Sequence, residues 1–129
     1  MKQNEINDFE KINAQLEGLH IEISALSKKS QNDTLNKFKL KFVNQTLKDA
    51  NIILGNNYKP FNDFEEFNED DMPTNSDVTL ILSQYLSCME KLRADNIISA
   101  DHWEGHKLVV SWYWKNTKIE TAAPLKIKK

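Results

Sequence analysis

Six carboxylates fall within the nine positions from 63 to 71, and phenylalanines alternate with them in the stretch FNDFEEFNEDDM, residues 61–72. The acids are Asp63, Glu65, Glu66, Glu69, Asp70 and Asp71, and the phenylalanines are Phe61, Phe64 and Phe67. Carboxylates at this density bind cations, work in acid–base pairs, or meet a basic surface of another protein. Residues 61–72 are called the acidic segment below.

The acidic segment lacks the pattern of a calcium loop or of a catalytic pair. An EF-hand loop needs a glycine at its sixth position and a glutamate at its twelfth, and neither stands in register here. Acid–base catalysis needs a cleft that separates the pKa values of two carboxyl groups, which a solvated ridge does not provide. Two interpretations stay open: a solvated loop, or a rigid anion array that imitates a phosphate backbone and docks on a basic partner.

His102 and His106 are the candidate metal ligands, in the stretch DHWEGH. Two histidines four apart on a helix can share a metal, but Glu104 does not directly follow His102 as in HExxH, and no third ligand is near in sequence. Cys88 falls on the apolar side of a predicted helix, where a cysteine is most often an inert hydrophobe. We therefore expect no metal, no cofactor and no catalytic residue.

The end of the chain is basic and aromatic, which is the composition of a nucleic-acid-binding surface. The lysines are Lys115, Lys118, Lys126, Lys128 and Lys129, and the aromatic residues are Trp112, Tyr113 and Trp114. One arginine in the whole chain is poor equipment for recognising phosphates or bases. We expect the tryptophans to lie in a core or an interface, and direct nucleic-acid binding is not favoured.

Composition predicts one ordinary domain with an uneven charge distribution. The 129 residues are 40% hydrophobic and 28% charged, with three glycines, three prolines and a single cysteine. The net charge is -2, but residues 60–77 hold seven acids and no base, which leaves 17 bases against 12 acids elsewhere. A single cysteine and the lack of a long apolar stretch predict a soluble, cytoplasmic protein without a membrane segment.

The predicted fold class is α+β, as a single domain over residues 1–129. It has three main helices, the first one long, and a C-terminal β-hairpin or small antiparallel sheet. The predicted segments are a helix over 3–28, a helix over 33–54 capped by Asn32 or Asp33 and stopped by Gly55, an acidic connection over 56–76, a helix over 77–95 opened by Ser76 and Asp77, and a β-rich tail over 96–129.

The first helix carries an apolar seam with the spacing of a coiled coil, over three heptads. The seam residues are Phe9, Ile12, Leu16, Leu19, Ile23 and Leu26. Such a stripe is covered either by other helices of the same chain or by a second copy in a homodimer. The second helix is expected to bury Leu35, Phe38, Phe42, Leu47, Ala50 and Ile53, with Lys37, Lys41 and Lys48 on its outer face.

We expect a non-enzymatic protein-binding module, of the inhibitor, anti-defence or immunity type. Its acidic segment would dock on a basic, nucleic-acid-facing surface of a partner protein, with the phenylalanines anchoring the segment on the core. A first alternative is a helical adaptor that oligomerises through the seam. A second is a small metal-dependent enzyme that uses His102 and His106.

Overall fold

The computed structural model describes residues 1–125, and it shows three helices followed by a three-stranded antiparallel sheet with the order β1-β2-β3. The α+β prediction, with a long first helix, is confirmed. The elements are α1 (Gln3–Ser30), α2 (Lys37–Tyr58), a short 3-10 helix (Glu69–Asp71), α3 (Asn75–Asp95), β1 (Ile97–Glu104), β2 (Lys107–Trp114) and β3 (Glu120–Thr121).

The seam of α1 forms the centre of the hydrophobic core, packed against α2 and α3. Phe9, Ile12, Leu16 and Ile23 are buried there, while Leu19 and Leu26 are partly buried at its margin. The partners from the other helices include Val43, Leu47, Leu54, Val78, Leu82 and Met89. Burying an apolar side chain of this size contributes about 1.5–3 kcal/mol, so the seam is a main source of stability.

The connection between α1 and α2 runs beside the entry to α3, and this pairing delays the start of α2. The backbone N–H of Leu35 donates to the Pro73 carbonyl at 3.0 Å, and that of Asn75 donates to the Asp33 carbonyl at 2.9 Å. Residues committed to these contacts cannot also begin a helix. The N-cap is therefore Asn36, whose side chain accepts from Lys39 N–H at 2.8 Å, and the predicted caps Asn32 and Asp33 were wrong.

The entry to α3 is a capping box, two residues earlier than predicted. Thr74 is the N-cap, its hydroxyl accepts from Asp77 N–H at 3.2 Å, and Asp77 in return accepts from Thr74 N–H at 3.1 Å. Reciprocal bonds of this kind satisfy two of the orphan donors at a helix start. Asp77 therefore has a structural role, and Ser76 lies inside the helix.

The buried face of α2 differs from the predicted stripe in its first half. Leu40 and Val43 point into the core, whereas Phe38 and Phe42 are 72% and 49% exposed and form an edge-to-face pair with ring centroids 5.0 Å apart. The sequence around KFKLKF offers two apolar faces of a helix, an aliphatic one with Leu40 and Val43 and an aromatic one with Phe38 and Phe42. The aliphatic face is the one that packs in the core. Gly55 breaks the helical backbone with φ 62, as expected of a stop, and one further turn follows it.

The sheet is a long hairpin anchored at one end. β1 pairs with β2 over their full length through a two-residue turn at Gly105 and His106, and Gly105 has φ 62, a conformation that favours glycine. At the anchored end Trp114 is buried against Phe9, with ring centroids 5.2 Å apart. Towards the turn the hairpin leaves the core, and Trp103 is 70% exposed.

Arg93, the single arginine, holds the C-terminal segment onto α3. Its guanidinium is almost fully buried and forms a two-bond ion pair with Glu90 at 2.7 and 2.9 Å. It also donates to the Thr121 hydroxyl and to the carbonyls of Ala122 and Ala123 at 2.7–2.9 Å. The planar five-donor fork of arginine suits this geometry, and a lysine would leave several of these acceptors unpaired.

Within residues 1–125, none of the helices has the length and apolar character needed to cross a membrane.

Replacing Arg93 with alanine should lower the free energy of unfolding by about 3 kcal/mol, because Glu90 would stay in its mostly buried position without a cation. Arg93→Lys should recover part of the loss. Urea denaturation measures both changes, with the exposed neighbour Lys91→Ala as the control. An Arg93→Ala protein as stable as the control would contradict this role.

Candidate functional site

The acidic segment has no regular structure before its 3-10 turn, yet side chains of α2 hold its backbone. The Asn44 carboxamide makes a reciprocal pair of bonds with Phe67: its Nδ2 donates to the Phe67 carbonyl at 3.0 Å, and its Oδ1 accepts from Phe67 N–H at 2.9 Å. This pair imitates a β-ladder contact. A segment that forms no helix or strand there is thereby fixed in position along α2.

A second attachment passes through the core to α3. Asn51 Nδ2 donates to the Glu65 carbonyl at 3.0 Å, and the hydroxyl of Tyr85 donates to Asn51 Oδ1 at 2.8 Å. Tyr85 is fully buried, and burial raises the pKa of its phenol, which is already a neutral donor at physiological pH. The orientation of Asn51, and with it the path of the acidic segment, is therefore set from inside the protein.

The three phenylalanines pack on the core as predicted, but not on a helical turn. Phe61 and Phe64 lie edge to face at 5.9 Å, and Phe64 and Phe67 do so at 5.1 Å, with all three partly buried against the core cluster. Edge-to-face pairs add about 0.5–1.5 kcal/mol each beyond burial. The backbone forms no helical turn around them, because its groups at Phe67 and Glu65 bond to the side chains of Asn44 and Asn51.

The carboxylates fall into two groups. Glu66 pairs with Lys48 of α2 at 3.3 Å, and Glu65 lies 3.7 Å from the ammonium of Lys59, the residue directly after α2. These lysines supply counter-charges that the sequence of the segment lacks. Asp63, Glu69, Asp70 and Asp71 are exposed and make no ion pair within residues 1–125. The last three lie on the 3-10 turn, where the Asn68 side chain accepts from Asp70 N–H at 3.0 Å.

A groove of about 630 Å³ separates the acidic segment from α2. Lys41, Asn44 and Lys48 lie along one wall, and the other wall is formed by residues 66–70. A second groove joins Lys37 to Glu69, Asp70 and Met72. The exposed pair Phe38–Phe42 lies on the same helix as the lysines. The sequence prediction placed this aromatic pair in the core and therefore missed it as a surface feature. The i, i+4 spacing predicts that both rings lie on one face of the helix, but not that this face is exposed.

The seam of α1, the predicted oligomerisation surface, is used inside the chain. Phe9, Ile12, Leu16 and Ile23 are at most 6% exposed, so a helix of a second copy has no apolar stripe to meet there. Of the two alternatives that the sequence left open, the fold covers the seam with other helices of the same chain. The surface that the adaptor hypothesis requires is occupied by α2 and α3.

The two histidines do not form a ligand pair on a helix. His102 lies in β1 opposite Val109 and contacts Glu104 Oε1 at 3.3 Å, while His106 lies in the turn after Gly105. In the part of the chain that the structure describes, no group of three or more His, Cys, Asp or Glu residues is placed to hold a metal ion. The segment DHWEGH is thus the tip of a hairpin.

The remaining candidates have packing roles or lie outside the described residues. Trp114 is buried and Trp112 is half-buried, in accordance with a core role. Cys88 is half-buried on α3, and burial raises the pKa of its thiol. The basic residues Lys126, Lys128 and Lys129 lie outside the described residues.

The fold and the site define a small α+β domain whose acidic segment is fixed to a helix by side-chain amides. A scan against models of known protein families, a search of curated proteins and a search of solved structures each found no match to this chain.

Replacing Asn44 with alanine should free the acidic segment while the fold persists. Loss of the two bonds to Phe67 costs about 1–3 kcal/mol of local stability, which corresponds to roughly tenfold or more opening of the segment. Chymotrypsin cleavage after Phe61, Phe64 or Phe67 should accelerate accordingly. Gln45→Ala, next on the same helix, is the control, and equal cleavage rates for the two variants would show that Asn44 does not hold the segment.

Cys88 should react with iodoacetamide more slowly in the folded protein than in urea at pH 8. The thiolate is the reactive form, and the raised pKa reduces its population in the folded state. Mass spectrometry of the alkylated fraction over time measures both rates. A folded protein that reacts as fast as the unfolded chain would contradict the raised pKa, and one that reacts faster would reveal an activated thiol.

Proposed function

We propose that this protein is a non-enzymatic protein-binding module whose acidic segment docks on a basic surface of a partner protein. The observation that carries the proposal is the attachment of that segment: Asn44 and Asn51 hold its backbone, and the edge-to-face phenylalanines hold its inner side. The carboxylates at its outer side are therefore presented in a fixed arrangement before any partner arrives.

Pre-organisation matters because binding has to compensate for the conformational entropy that a flexible segment loses when it is ordered. In this protein the acidic segment loses that conformational entropy when the chain folds, so binding does not have to compensate for it. Four carboxylates without an ion pair within the described residues, Asp63, Glu69, Asp70 and Asp71, attract a Lys/Arg-rich surface and accelerate its association. A nucleic-acid-binding groove is a surface of this charge, because it neutralises phosphates with Lys and Arg. Occupying such a groove would make this protein an inhibitor or an immunity-type protein.

Neutralising these four acids with isosteric amides (Asp63→Asn, Glu69→Gln, Asp70→Asn and Asp71→Asn) should abolish partner binding and leave folding intact. The matched control removes four exposed acids elsewhere: Asp8→Asn, Glu10→Gln, Glu17→Gln and Asp101→Asn. Both variants and the wild type serve as baits in nuclease-treated lysate, with mass spectrometry as the readout. A basic protein retained by the wild type and by the control, but lost with the first variant, supports the proposal.

Salt gives an independent measure on the partner so identified. Interactions between exposed charges are screened over about 8–10 Å at physiological ionic strength, so affinity should fall steeply as salt rises. Any residual binding by the four-acid variant at low salt should show little of this dependence. If all three baits retain the same proteins, the acidic segment is a solvated face and the proposal fails.

A further inference from the structure

The outer face of α2 and the adjoining 3-10 turn combine exposed apolar side chains with charges of both signs. Phe38 and Phe42 project from α2, and Met72 follows the turn with 62% of its surface exposed. One rim of the face carries Lys37 and Lys41, and the other carries Glu69 and Asp70. The two grooves described above lie between these rims, so the rims run side by side along α2.

Exposed aromatic side chains beside ordered charges are typical of protein interfaces, where aromatic residues anchor the centre and charges form the rim. A partner of a single charge sign is a poor fit to the whole face. A polyanion would be attracted by the lysine rim alone, and a polycation by the acidic rim alone, so either would leave half of the charges and the aromatic pair without a partner. The face fits a partner that presents both signs in the same spacing.

We propose that this face is an isologous interface with a second copy of the chain. In a two-fold dimer whose axis runs along the groove between the rims, the lysine rim of each copy lies over the acidic rim of the other. Phe38 and Phe42 of one copy then approach Met72 of its partner. Because of the two-fold symmetry, the lysine rim faces the acidic rim at two places in the dimer. The exposed side chains of Phe38, Phe42 and Met72 become buried at the same time.

The dimer would cover Glu69 and Asp70, two of the carboxylates in the proposed partner-binding surface. Self-association and partner docking would then compete, so that a basic partner has to displace the second copy. This consequence rests on the proposed function, whereas the dimer itself does not. It is tested with the purified protein alone, so failure of one leaves the other standing.

The test is charge reversal with rescue, read by sedimentation equilibrium. Lys37→Glu with Lys41→Glu makes both rims acidic, and Glu69→Lys with Asp70→Lys makes both rims basic. Each variant alone should dimerise at least about tenfold more weakly than the wild type, because like charges oppose one another. An equimolar mixture of the two should form a heterodimer, since the acidic copy then faces the basic one. All four positions are exposed, and circular dichroism checks that the variants fold.

The control is Trp103→Ser, which removes an exposed apolar side chain on the hairpin, away from α2. It should leave dimerisation unchanged, whereas Phe38→Ser with Phe42→Ser should weaken it. A wild type that stays monomeric at about 1 mM overturns the proposal. So does a dimer that the charge reversals leave intact, or one that Trp103→Ser dissociates, because either result places the interface elsewhere.

Discussion

The reciprocal pair of hydrogen bonds between the Asn44 carboxamide and the backbone of Phe67 is the contact on which the site depends. A segment without helix or strand has unpaired backbone groups and a large conformational entropy, and both oppose order. Asn44 satisfies two of those groups at once, and Asn51, oriented by the buried Tyr85, satisfies a third. The three edge-to-face phenylalanines then lie against the core, and the carboxylates are exposed on the opposite side.

The core makes this arrangement possible by fixing α2. The seam of α1 is buried between α2 and α3, and the hydroxyl of Tyr58 at the end of α2 donates to Asp95 at the end of α3 at 2.7 Å. With α2 held on its apolar side, its opposite side is free to carry lysines, amides and an exposed aromatic pair. One helix thus supports the core, the acidic segment and the mixed-charge face.

The sequence predicts those features that depend on periodicity and misses those that depend on long-range pairing. The heptad spacing of α1 is a local pattern, and the predicted long first helix, the third helix and the C-terminal antiparallel sheet are present. The start of α2 was misplaced because residues 31–35 pair with the entry to α3, 38 to 45 positions away. Three further features depend on contacts between distant parts of the chain. They are the counter-charges from Lys48 and Lys59, the attachment of the C-terminal segment by Arg93, and the exposure of Phe38 and Phe42.

The most direct test of the account is the backbone order of the acidic segment in the free protein, from 15N relaxation. The account predicts order parameters near about 0.85 for residues 61–72, the level of rigid backbone, because the segment is attached before any partner binds. Values below about 0.6 across these residues would show a flexible loop. In that case the carboxylates would be unspecific solvated charges, and the pre-organised array on which the proposed function rests would not exist.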